Sequence, residues 1–594
     1  MSPPAAAPHF KPESSWKLLG GMGYGLRQST LLGRFRIRLP DDFDLAVLDA
    51  AIAAMAEDPL PRPMDAPDAA TAVACRAAQW MALLQQECNI PVSDRFRAGP
   101  AILLDDGATA VPVAMPCFTK DASHAMLDWV GRVLDDLIAN RPDAGTEILR
   151  ERLEALRVRL RQWKVQGINA FHFLRAADHL DIPTTRLFGA VYTFGTGRHT
   201  RWLNSSFTDR TGQIGVNLAH SKLATAQVLL RGGLPGPSHL RVTTEAEAVG
   251  AAETLGYPVV VKPLDQEQGR GVAAGLAEPD AVREAFATAL TFSREILVEK
   301  HFHGRDYRLT VVDGRVVKVE NRVAGGVTGD GVSTVGQLVD VLQQTPRFRK
   351  VMRTSGRFPL SLDAEALGML GEAGMTADSV PDAGAYVTLR RKNNISTGGM
   401  QILVPPERVH PDNRDLAVRA AALLRLDFAG VDLIIDDIAT SWLESGALIC
   451  EVNAQPQVGV NTTPDIYREI LASLMRGGHR IPVHLVIVGA SGIPAADVRQ
   501  LLDRLGCNAL ATPAGVWIDG RKVAARPQGS FHAARIMLEE TAAKTALCVI
   551  AAGEIVQAGL PTDRFESIRV VGPVEDLETI LAMAAPHTDV LVPE

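Results

Sequence analysis

The sequence is poor in several features that mark whole classes of protein. Only 5% of its 594 residues are aromatic, so any surface for stacking nucleic-acid bases would be small. Basic and acidic side chains number 61 and 68, which leaves a net charge of −7 and no basic field that would attract nucleic acid. The composition therefore predicts no nucleic-acid partner, and it leaves room for a local cationic cleft that binds a phosphorylated ligand.

Cysteine and long apolar runs are scarce as well. The six cysteines lie far apart and form no Cys-x-x-Cys pair, which argues against a zinc knuckle and against a disulfide framework. No run of about 18 uncharged apolar residues occurs. Residues 1–16 also lack the apolar core of a signal peptide. We therefore expect no membrane association and a reduced, cytoplasmic setting.

The residues that are present indicate a globular protein of several domains, with 46% hydrophobic and 22% charged side chains. Predicted hairpins alternate with predicted helices, a mixture that favours the α+β class. We predict an N-terminal accessory α/β domain in residues 1–160, a central domain in 161–482 and a small α/β domain in 483–594. For the first of these, a substrate-holding role is the alternative.

Three polar side chains stand out in two apolar strands near residues 430–454. Asp432 lies in GVDLII, and Glu451 and Asn453 lie in LICEVNA. Residues two apart on a strand project from the same face, and acidic groups on an apolar strand are costly unless something satisfies them. Mg²⁺ bridging nucleotide phosphates would satisfy them, because it prefers oxygen ligands. An edge strand with solvated polar residues is the alternative.

A lysine and a glycine-rich turn form a second pattern. Lys262 ends the run VVVK, and the turn Gln268–Gly271 follows it, with Lys222 upstream. Such a turn brings backbone N–H groups close to a phosphate, and a lysine supplies a mobile positive charge. Taken alone, the pattern is equally compatible with a plain turn.

A third pattern, LVEKHFHGRDYR, covers residues 297–308. In a nucleotide site, Glu299 and Lys300 would form the hinge beside adenine or ribose, and Asp306 would reach a ribose hydroxyl. Arg308 would face either the phosphates or a developing oxyanion. A fourth stretch, NNISTGG at 393–399, is a flexible loop rich in hydrogen-bond donors that follows three cations. Solvated loops are the alternative for both stretches.

Together these stretches resemble the ATP-grasp superfamily of carboxylate–amine ligases, and within it the cyanophycin synthetase family. The resemblance covers nearly the whole chain and also includes FTDRTGQIGVNLAHSK at 207–222 and GDGVSTVGQLVD at 329–340. The combination is specific for an ATP-grasp ligase. It is less specific for cyanophycin synthesis, because the glutathione synthetase domain of fused bacterial enzymes is similar in the same stretches.

The resemblance implies ATP and Mg²⁺ as cofactors and gives each residue group a role. Arg308 and Lys262 would be catalytic, and Arg308 would stabilise the acyl phosphate and the tetrahedral intermediate. Asp432, Glu451 and Asn453 would hold magnesium. The residues predicted to contact ATP are Lys222, Lys262, Gly269, Arg270, Gly271, Glu299, Lys300 and Asp306.

Two departures from the family pattern bear on function. After Asn453 the family continues with a Pro-Gly segment that shapes the substrate pocket, whereas this chain reads AQPQV at 454–458. The C-terminal segment resembles a shortened Mur-ligase-like domain, and its loop GASGIP at 489–494 has Ile493 and Pro494 where a phosphate loop has Lys and Thr. We therefore predict a remnant without a nucleotide site of its own.

The expected function is an ATP-dependent, peptide-bond-forming ligase for amino acids or a short peptide. It would act through an acyl phosphate at a single ligation site. A glutathione synthetase-type ligase and a non-catalytic scaffold derived from a synthetase are the alternatives. The resemblance also suggests a homo-oligomer, either a dimer or a tetramer.

Overall fold

The computed structural model describes residues 8–55, 61, 64–93, 95–139, 145–265, 270–391, 393, 398–459, 463, 465–524 and 527–593. The chain divides into two compact units: the first combines Met1–Ser205 with Leu474–Glu594, and the second is Ser206–Ser473. Both mix helices with sheets, which confirms the predicted α+β multidomain class. The predicted boundaries at residues 160 and 482 differ from these divisions, and the three-domain assignment stays a prediction.

The N-terminal part of the first unit is built on an antiparallel sheet of order β1-β3-β6-β4, with β2 on β3 and β5 on β6. Successive side chains of β3 point to opposite faces of the sheet, which buries Phe35 and Ile37 on one face. These two residues share a core with Trp80 and Trp129, which lie on the helices that cover the sheet. A separate meander joins β7, β8 and β9. The elements are β1 (Phe10–Pro12), β2 (Lys17–Leu19), β3 (Thr30–Ile37), α1 (Leu45–Met55), α2 (Ala69–Glu87), β4 (Arg97–Ala98), β5 (Ile102–Leu103), β6 (Thr109–Pro116), α3 (Lys120–Ile138), α4 (Thr146–Leu160), α5 (Ile168–His179), β7 (Thr184–Phe188), β8 (Val191–Phe194) and β9 (Arg201–Asn204).

The second unit contains two larger sheets and one small one. Its elements are β10 (Phe207–Thr208), α6 (Gln213–His220), α7 (Lys222–Arg231), β11 (His239–Val242), α8 (Glu245–Leu255), β12 (Val259–Pro263), β13 (Ala273–Leu276), α9 (Pro279–Leu290), β14 (Ile296–Lys300), β15 (Arg305–Val312), β16 (Arg315–Val323), β17 (Gly326–Thr328), α10 (Val335–Gln343), α11 (Pro346–Ser355), α12 (Ala364–Glu372), β18 (Tyr386–Thr388), β19 (Met400–Leu403), α13 (Pro411–Leu423), β20 (Phe428–Ile435), α14 (Trp442–Ser445), β21 (Leu448–Asn453) and α15 (Ile466–Leu474).

The two larger sheets of this unit each carry helices on one face. The first has the order β11-β14-β12-β13 and packs against α8 and α9. The second has the order β19-β16-β15-β20-β21 and packs against α13. The β15–β16 hairpin turns at Asp313–Gly314 with φ of 50° and 73°, the positive values that an Asp-Gly hairpin turn needs. Each sheet therefore leaves its opposite face available for polar side chains.

In the C-terminal part of the first unit, strands alternate with helices, which agrees with the α/β class predicted for residues 483–594. Its sheet runs β25-β24-β23-β26-β22-β27-β28, and it is parallel from β23 to β28. The elements are β22 (Val483–Val488), α16 (Ala495–Arg504), β23 (Ala509–Thr512), β24 (Gly515–Ile518), β25 (Arg521–Ala524), α17 (Ser530–Glu539), β26 (Ala546–Ala551), α18 (Ala552–Ala558), β27 (Ser567–Val571), α19 (Leu577–Ala584) and β28 (Leu591–Pro593). None of the helices in the described parts of the chain is long and apolar enough to cross a membrane.

The first unit is held together by contacts between its two separate stretches of chain. Leu19 is fully buried in the core of the C-terminal sheet. Met22 pairs with Leu560 in an antiparallel bridge, and its N–H donates to the Leu560 carbonyl at 2.9 Å. Arg480 donates to both carboxylate oxygens of Asp563, at 2.5 and 2.7 Å, and also to the carbonyl of Asp181. The C-terminal segment is thus an integral part of this unit.

Candidate active site

A cleft with a volume of about 750 Å³ opens within the second unit. Its walls come from both larger sheets and from the start of α7. Six cationic side chains and four carboxylates line it. This composition suits a polyanionic ligand that is bound together with a cation, such as a nucleoside triphosphate. The charged lining residues are Lys222, Lys262, Lys300, Arg308, Arg322, Arg391, Glu299, Asp306, Asp432 and Glu451.

Strand register places the predicted magnesium and catalytic residues side by side. Arg308 of β15 lies opposite Asp432 of β20, and Asp432 lies opposite Glu451 of β21. Asn453 lies two residues beyond Glu451, opposite Gly430. Because side chains alternate along a strand, these groups share the sheet face that α13 leaves uncovered. The predicted set is therefore assembled on one surface.

Asp432 is the centre of an ion network on that face, and it is only 4% exposed. Its Oδ2 accepts from Nη2 of Arg308 at 3.2 Å and lies 2.9 Å from Nη2 of Arg322. Its Oδ1 touches Nε of Arg308 without the angle of a hydrogen bond. Arg322 also donates to Oδ1 of Asp306 at 2.7 Å. Two guanidinium groups thus neutralise two carboxylates and fix their orientation.

Glu451 is accessible through the cleft and is linked to the same network by Asn453. With its amide oriented to satisfy its neighbours, Asn453 donates to Oε1 of Glu451 at 3.0 Å and accepts from Nη2 of Arg308 at 3.3 Å. Partial burial, and after it the negative charge of Asp432, raises the pKa of the Glu451 carboxyl above its usual value. A cation bound beside Glu451 would relieve this unfavourable environment.

The opposite wall of the cleft carries the predicted nucleotide residues. Lys262 of β12 places Nζ 2.5 Å from Oε1 of Glu299 on the neighbouring strand β14. Glu299 is 7% exposed, and Nδ1 of His239 lies 3.9 Å from the same oxygen. Burial lowers the pKa of His239, so its imidazole is held in the neutral form. Lys222, the first residue of α7, donates to the carbonyl of Leu264 at 2.9 Å.

The remaining predicted ATP contacts divide into three groups. Lys300 lines the cleft, but its ammonium donates to the carbonyls of Gly256 and Tyr257, at 2.8 and 3.1 Å. Among the described residues that line the cleft are Val272 and Ala274, but neither Arg270 nor Gly271. Gly269, with the rest of 266–269, lies outside the described residues, so its predicted contact with phosphate stays a prediction.

The predicted loop at 393–399 touches the site through its first residue. Asn393 lines the cleft and donates from Nδ2 to Oδ2 of Asp306 at 2.9 Å. Arg391, one of the three cations before the loop, also lines the cleft. Lys392 and residues 394–397 lie outside the described residues.

Two residues of the site escaped the sequence analysis. Arg322 pairs with Asp306 across the hairpin, so the register set by the Asp313–Gly314 turn was the signal that would have found it. Gly430 lies beneath Arg308: a Cβ built there would come within 2.4 Å of Nη1 of Arg308 and 3.0 Å of Cβ of Pro456. Its lack of a side chain makes room for the guanidinium.

Replacing Gly430 by alanine is therefore expected to displace the Arg308 guanidinium and to lower turnover by about a hundredfold, the usual cost of a misplacement near 1 Å. Folding should change little, because the end of a flexible side chain gives way. Steady-state kinetics and thermal melting measure the two effects. Gly250→Ala, in helix α8 with no atom near the new methyl group, is the matched control. Wild-type turnover in Gly430→Ala would show that the position of Arg308 does not matter.

The donor set limits how a metal ion fits this site. Among the described residues, no three His, Cys, Asp or Glu side chains lie close enough to hold a metal ion by themselves. Asp432, Glu451 and Asn453 supply two carboxylates and one amide oxygen. Mg²⁺ usually takes one or two carboxylates and completes its shell with phosphate oxygens and water. The residues therefore fit Mg²⁺ that is bound together with a nucleotide.

Comparison with known proteins identifies several relatives. Residues 234–328 match the family model described as the D-Ala D-Ala ligase C-terminus. The cyanophycin synthetase of Nostoc sp. (strain PCC 7120) is 31% identical over 434 residues, which is 70% of this chain and 46% of that protein. The glutathione biosynthesis bifunctional protein of Mannheimia succiniciproducens is 30% identical over 325 residues, 51% of this chain and 42% of that one. The chain spans about half the length of the cyanophycin synthetases that it matches.

Among solved structures, the bifunctional glutathione synthetase of Pasteurella multocida aligns with a TM-score of 0.42 and 23% identity. The alignment covers 60% of this chain and 52% of that one.

Proposed function

We propose that this chain, a homologue of cyanophycin synthetases and other ATP-grasp ligases, is an ATP-dependent ligase that joins a carboxylate to an amine on amino acids or a short peptide. One observation carries the proposal. Arg308, Asp432 and Glu451 stand in register on adjacent strands and face the same cleft as the Lys262–Glu299 pair. Phosphoryl transfer from ATP uses cations that contact the phosphates and carboxylates that hold Mg²⁺, and this cleft carries both kinds of side chain.

In the proposed binding mode, Lys222 and Lys262 contact the phosphates, while Glu299 and the neighbouring hinge backbone hold adenine. Asp306, oriented by Arg322 and Asn393, accepts from a ribose hydroxyl. Asp432, Glu451 and Asn453 would hold Mg²⁺, which neutralises negative charge on the phosphates when bound. The cleft thus orders the nucleotide from the hinge towards the β15–β20–β21 face.

The proposed reaction has two chemical steps. An oxygen of the substrate carboxylate attacks the γ-phosphorus of ATP, which gives an acyl phosphate and ADP. The neutral amine of the second substrate then attacks the acyl carbon, and the tetrahedral intermediate expels inorganic phosphate and the amine proton. The guanidinium of Arg308 would stabilise the negative charge that develops in both steps.

The loop at residues 489–494 supports a single ligation site, because it lacks the residues with which a second nucleotide site would bind phosphate. Residues 489–494 join β22 to α16, where Ile493 and Pro494 replace the lysine and hydroxyl residue of a phosphate loop. Pro494 also lacks the N–H that would face a phosphate at the start of the helix. We therefore propose one nucleotide site and one ligation site per chain.

A glutathione synthetase-type reaction is the second candidate, favoured by the 30% identity to the bifunctional protein of Mannheimia succiniciproducens. An assay with a γ-glutamyl dipeptide and glycine separates the two candidates. Against a non-catalytic scaffold stands the intact network of Arg308, Asp432 and Glu451.

ATP with magnesium is expected to raise the melting temperature of the protein, because a ligand that binds only the native state stabilises it by RT ln(1 + [L]/Kd). Lys262→Ala should reduce this shift, since it removes a phosphate-facing charge and leaves Glu299 without its partner. Differential scanning calorimetry measures both. Lys164→Ala, at an exposed position of the first unit, should leave the shift unchanged.

Equilibrium binding and product analysis complete this test. We expect about one nucleotide per chain, together with ADP release that depends on an amino-acid or peptide pair and a product identified by mass spectrometry. A wild-type melting curve unmoved by millimolar ATP would overturn the nucleotide site. A stoichiometry near two, with the second site surviving Lys262→Ala, would overturn the single-site proposal.

A further inference from the structure

The segment after β21 crosses the polar face of the sheet, and we call residues Ala454–Gly459 the strap. Cβ of Pro456 lies 3.0 Å from where a Cβ of Gly430 would stand, so the strap passes directly over β20. Ala454 and Gln455 line the cleft, whereas Pro456 and Val458 are buried. The strap therefore forms the wall of the cleft next to Arg308 and Asn453.

Three groups hold the strap along its length. Oγ of Ser206, itself fully buried, donates to the carbonyl of Pro456 at 2.8 Å. Nζ of Lys318 donates to the carbonyl of Val458 at 2.8 Å. The phenol of Tyr467 lies within hydrogen-bonding reach of the Gly459 backbone. The strap is thus anchored at successive residues as it runs from β21 back to β16.

The Lys318 anchor is a buried ion pair. Its ammonium lies 2.7 Å from Oε1 of Glu320, and the two side chains are only 1% and 3% exposed. Such a pair adds little net stability compared with apolar side chains of the same size, because both ions lose their hydration. In some proteins a buried charge instead fixes one conformation, and here the ammonium donates to one backbone carbonyl of the strap, that of Val458.

The position of the pair links it to the catalytic face. On β16, Lys318 lies opposite Thr310 and Glu320 lies opposite Arg308. Continuing across the sheet, Thr310 lies opposite Gly430, which lies opposite Asn453. Lys318, Thr310, Gly430 and Asn453 thus lie side by side on four neighbouring strands. The strap crosses the sheet above these four residues. A change at Lys318 would therefore reach the cleft through the strap and leave the nucleotide wall at Lys262 untouched.

We infer that Lys318 is a positioning residue for the non-nucleotide substrates. It fixes the strap so that Gln455 presents its amide to the substrate backbone or side chain beside Arg308. The ligand class is a polar, amide- or carboxylate-bearing amino acid or peptide, and this identification rests on the proposed ligase function. Lys318 is not itself a catalytic residue, because it is buried beneath the strap.

The test uses the double variant Lys318→Met/Glu320→Met, which removes both members of the buried Lys318–Glu320 pair together. We expect the KM of at least one non-nucleotide substrate to rise tenfold or more, while the KM of ATP stays within twofold and kcat falls less than the KM rises. Arg76→Met/Asp49→Asn, which removes the ion pair between the buried Arg76 and the partly exposed Asp49 in the first unit, is the control and should leave every KM unchanged.

Hydrogen–deuterium exchange tests the anchor independently of activity. Amides of the strap should exchange at least tenfold faster in the double variant, with those of β20 unchanged. If the wild-type protein ligates nothing, the proposed function fails, and this exchange result still decides whether Lys318 holds the strap. Unchanged strap exchange, or an ATP KM that rises in parallel with the others, would overturn the inference.

Discussion

Replacing Glu451 by glutamine is expected to lower turnover by about a thousandfold, which corresponds to about 4 kcal/mol of added barrier. The side chain keeps its shape and can still accept from Asn453, so the protein should fold normally. The lost element is the negative charge that would hold Mg²⁺ against the phosphates of ATP. ADP release under saturating substrate measures the effect, and circular dichroism verifies the fold.

A matched control is Glu444→Gln, an exposed glutamate in the short helix α14 of the same unit, which should retain wild-type turnover. Magnesium titrations distinguish the proposed cause from a general loss of activity, because the Glu451→Gln enzyme should need far more magnesium to reach its own maximum. If that variant keeps more than half of normal activity, Glu451 is not a metal ligand.

The second large effect is expected for Asp563→Asn, which should destabilise the first unit by about 3–5 kcal/mol, as removal of one partner from a buried ion pair usually does. Asp563 is 8% exposed and accepts two hydrogen bonds from Arg480, with Arg27 also close by. Urea unfolding followed by tryptophan fluorescence measures the loss, since Trp80 and Trp129 lie in the core of that unit.

The pH dependence of stability provides a second readout for Asp563. Burial alone would raise its pKa, but the hydrogen bonds and charge of Arg480, together with the charge of Arg27, outweigh burial, so the pKa lies below its usual value. A depressed pKa stabilises the native state fully above the unfolded-state value of about 3.9, and this contribution is lost as the pH falls through the folded-state value. The acid limb of the stability curve should therefore be shallower in Asp563→Asn.

Asp589→Asn is the control for that variant, because the Asp589 side chain is exposed and lies 3.5 Å from Arg564, which is exposed as well. Exposed pairs contribute about 0–1 kcal/mol, so a small change is expected. Equal losses in the two variants would mean that the Asp563 network does not hold the unit together.

Part of the candidate site was predictable from the sequence, because spacing within one strand and the residues of a hairpin turn are local patterns. The two-residue spacing of Glu451 and Asn453 places both on one face, and the Asp313–Gly314 turn sets the pairing of β15 with β16. Short-range spacing and turn chemistry sufficed in these cases.

Other features depend on contacts that no local pattern reveals. The room that Gly430 leaves for Arg308 exists only because β15 and β20, far apart in sequence, are neighbours in the sheet. The carbonyl partner of Lys318 lies in a segment far along the chain. Likewise, the packing of Leu19 among residues of the C-terminal sheet brings together opposite ends of the sequence, a pairing that periodicity and composition do not encode.

The division of the chain has a consequence for the order of events during synthesis. The second unit is continuous, Ser206–Ser473, so it can fold as soon as it leaves the ribosome. The first unit cannot complete its folding until the end of translation, because its central strand β22 and the Leu560 partner of Met22 lie in the C-terminal stretch. Until then the nascent N-terminal stretch exposes the apolar surface around Leu19. Premature termination within the last hundred or so residues would thus release a polypeptide with a complete second unit attached to an unfinished, aggregation-prone half.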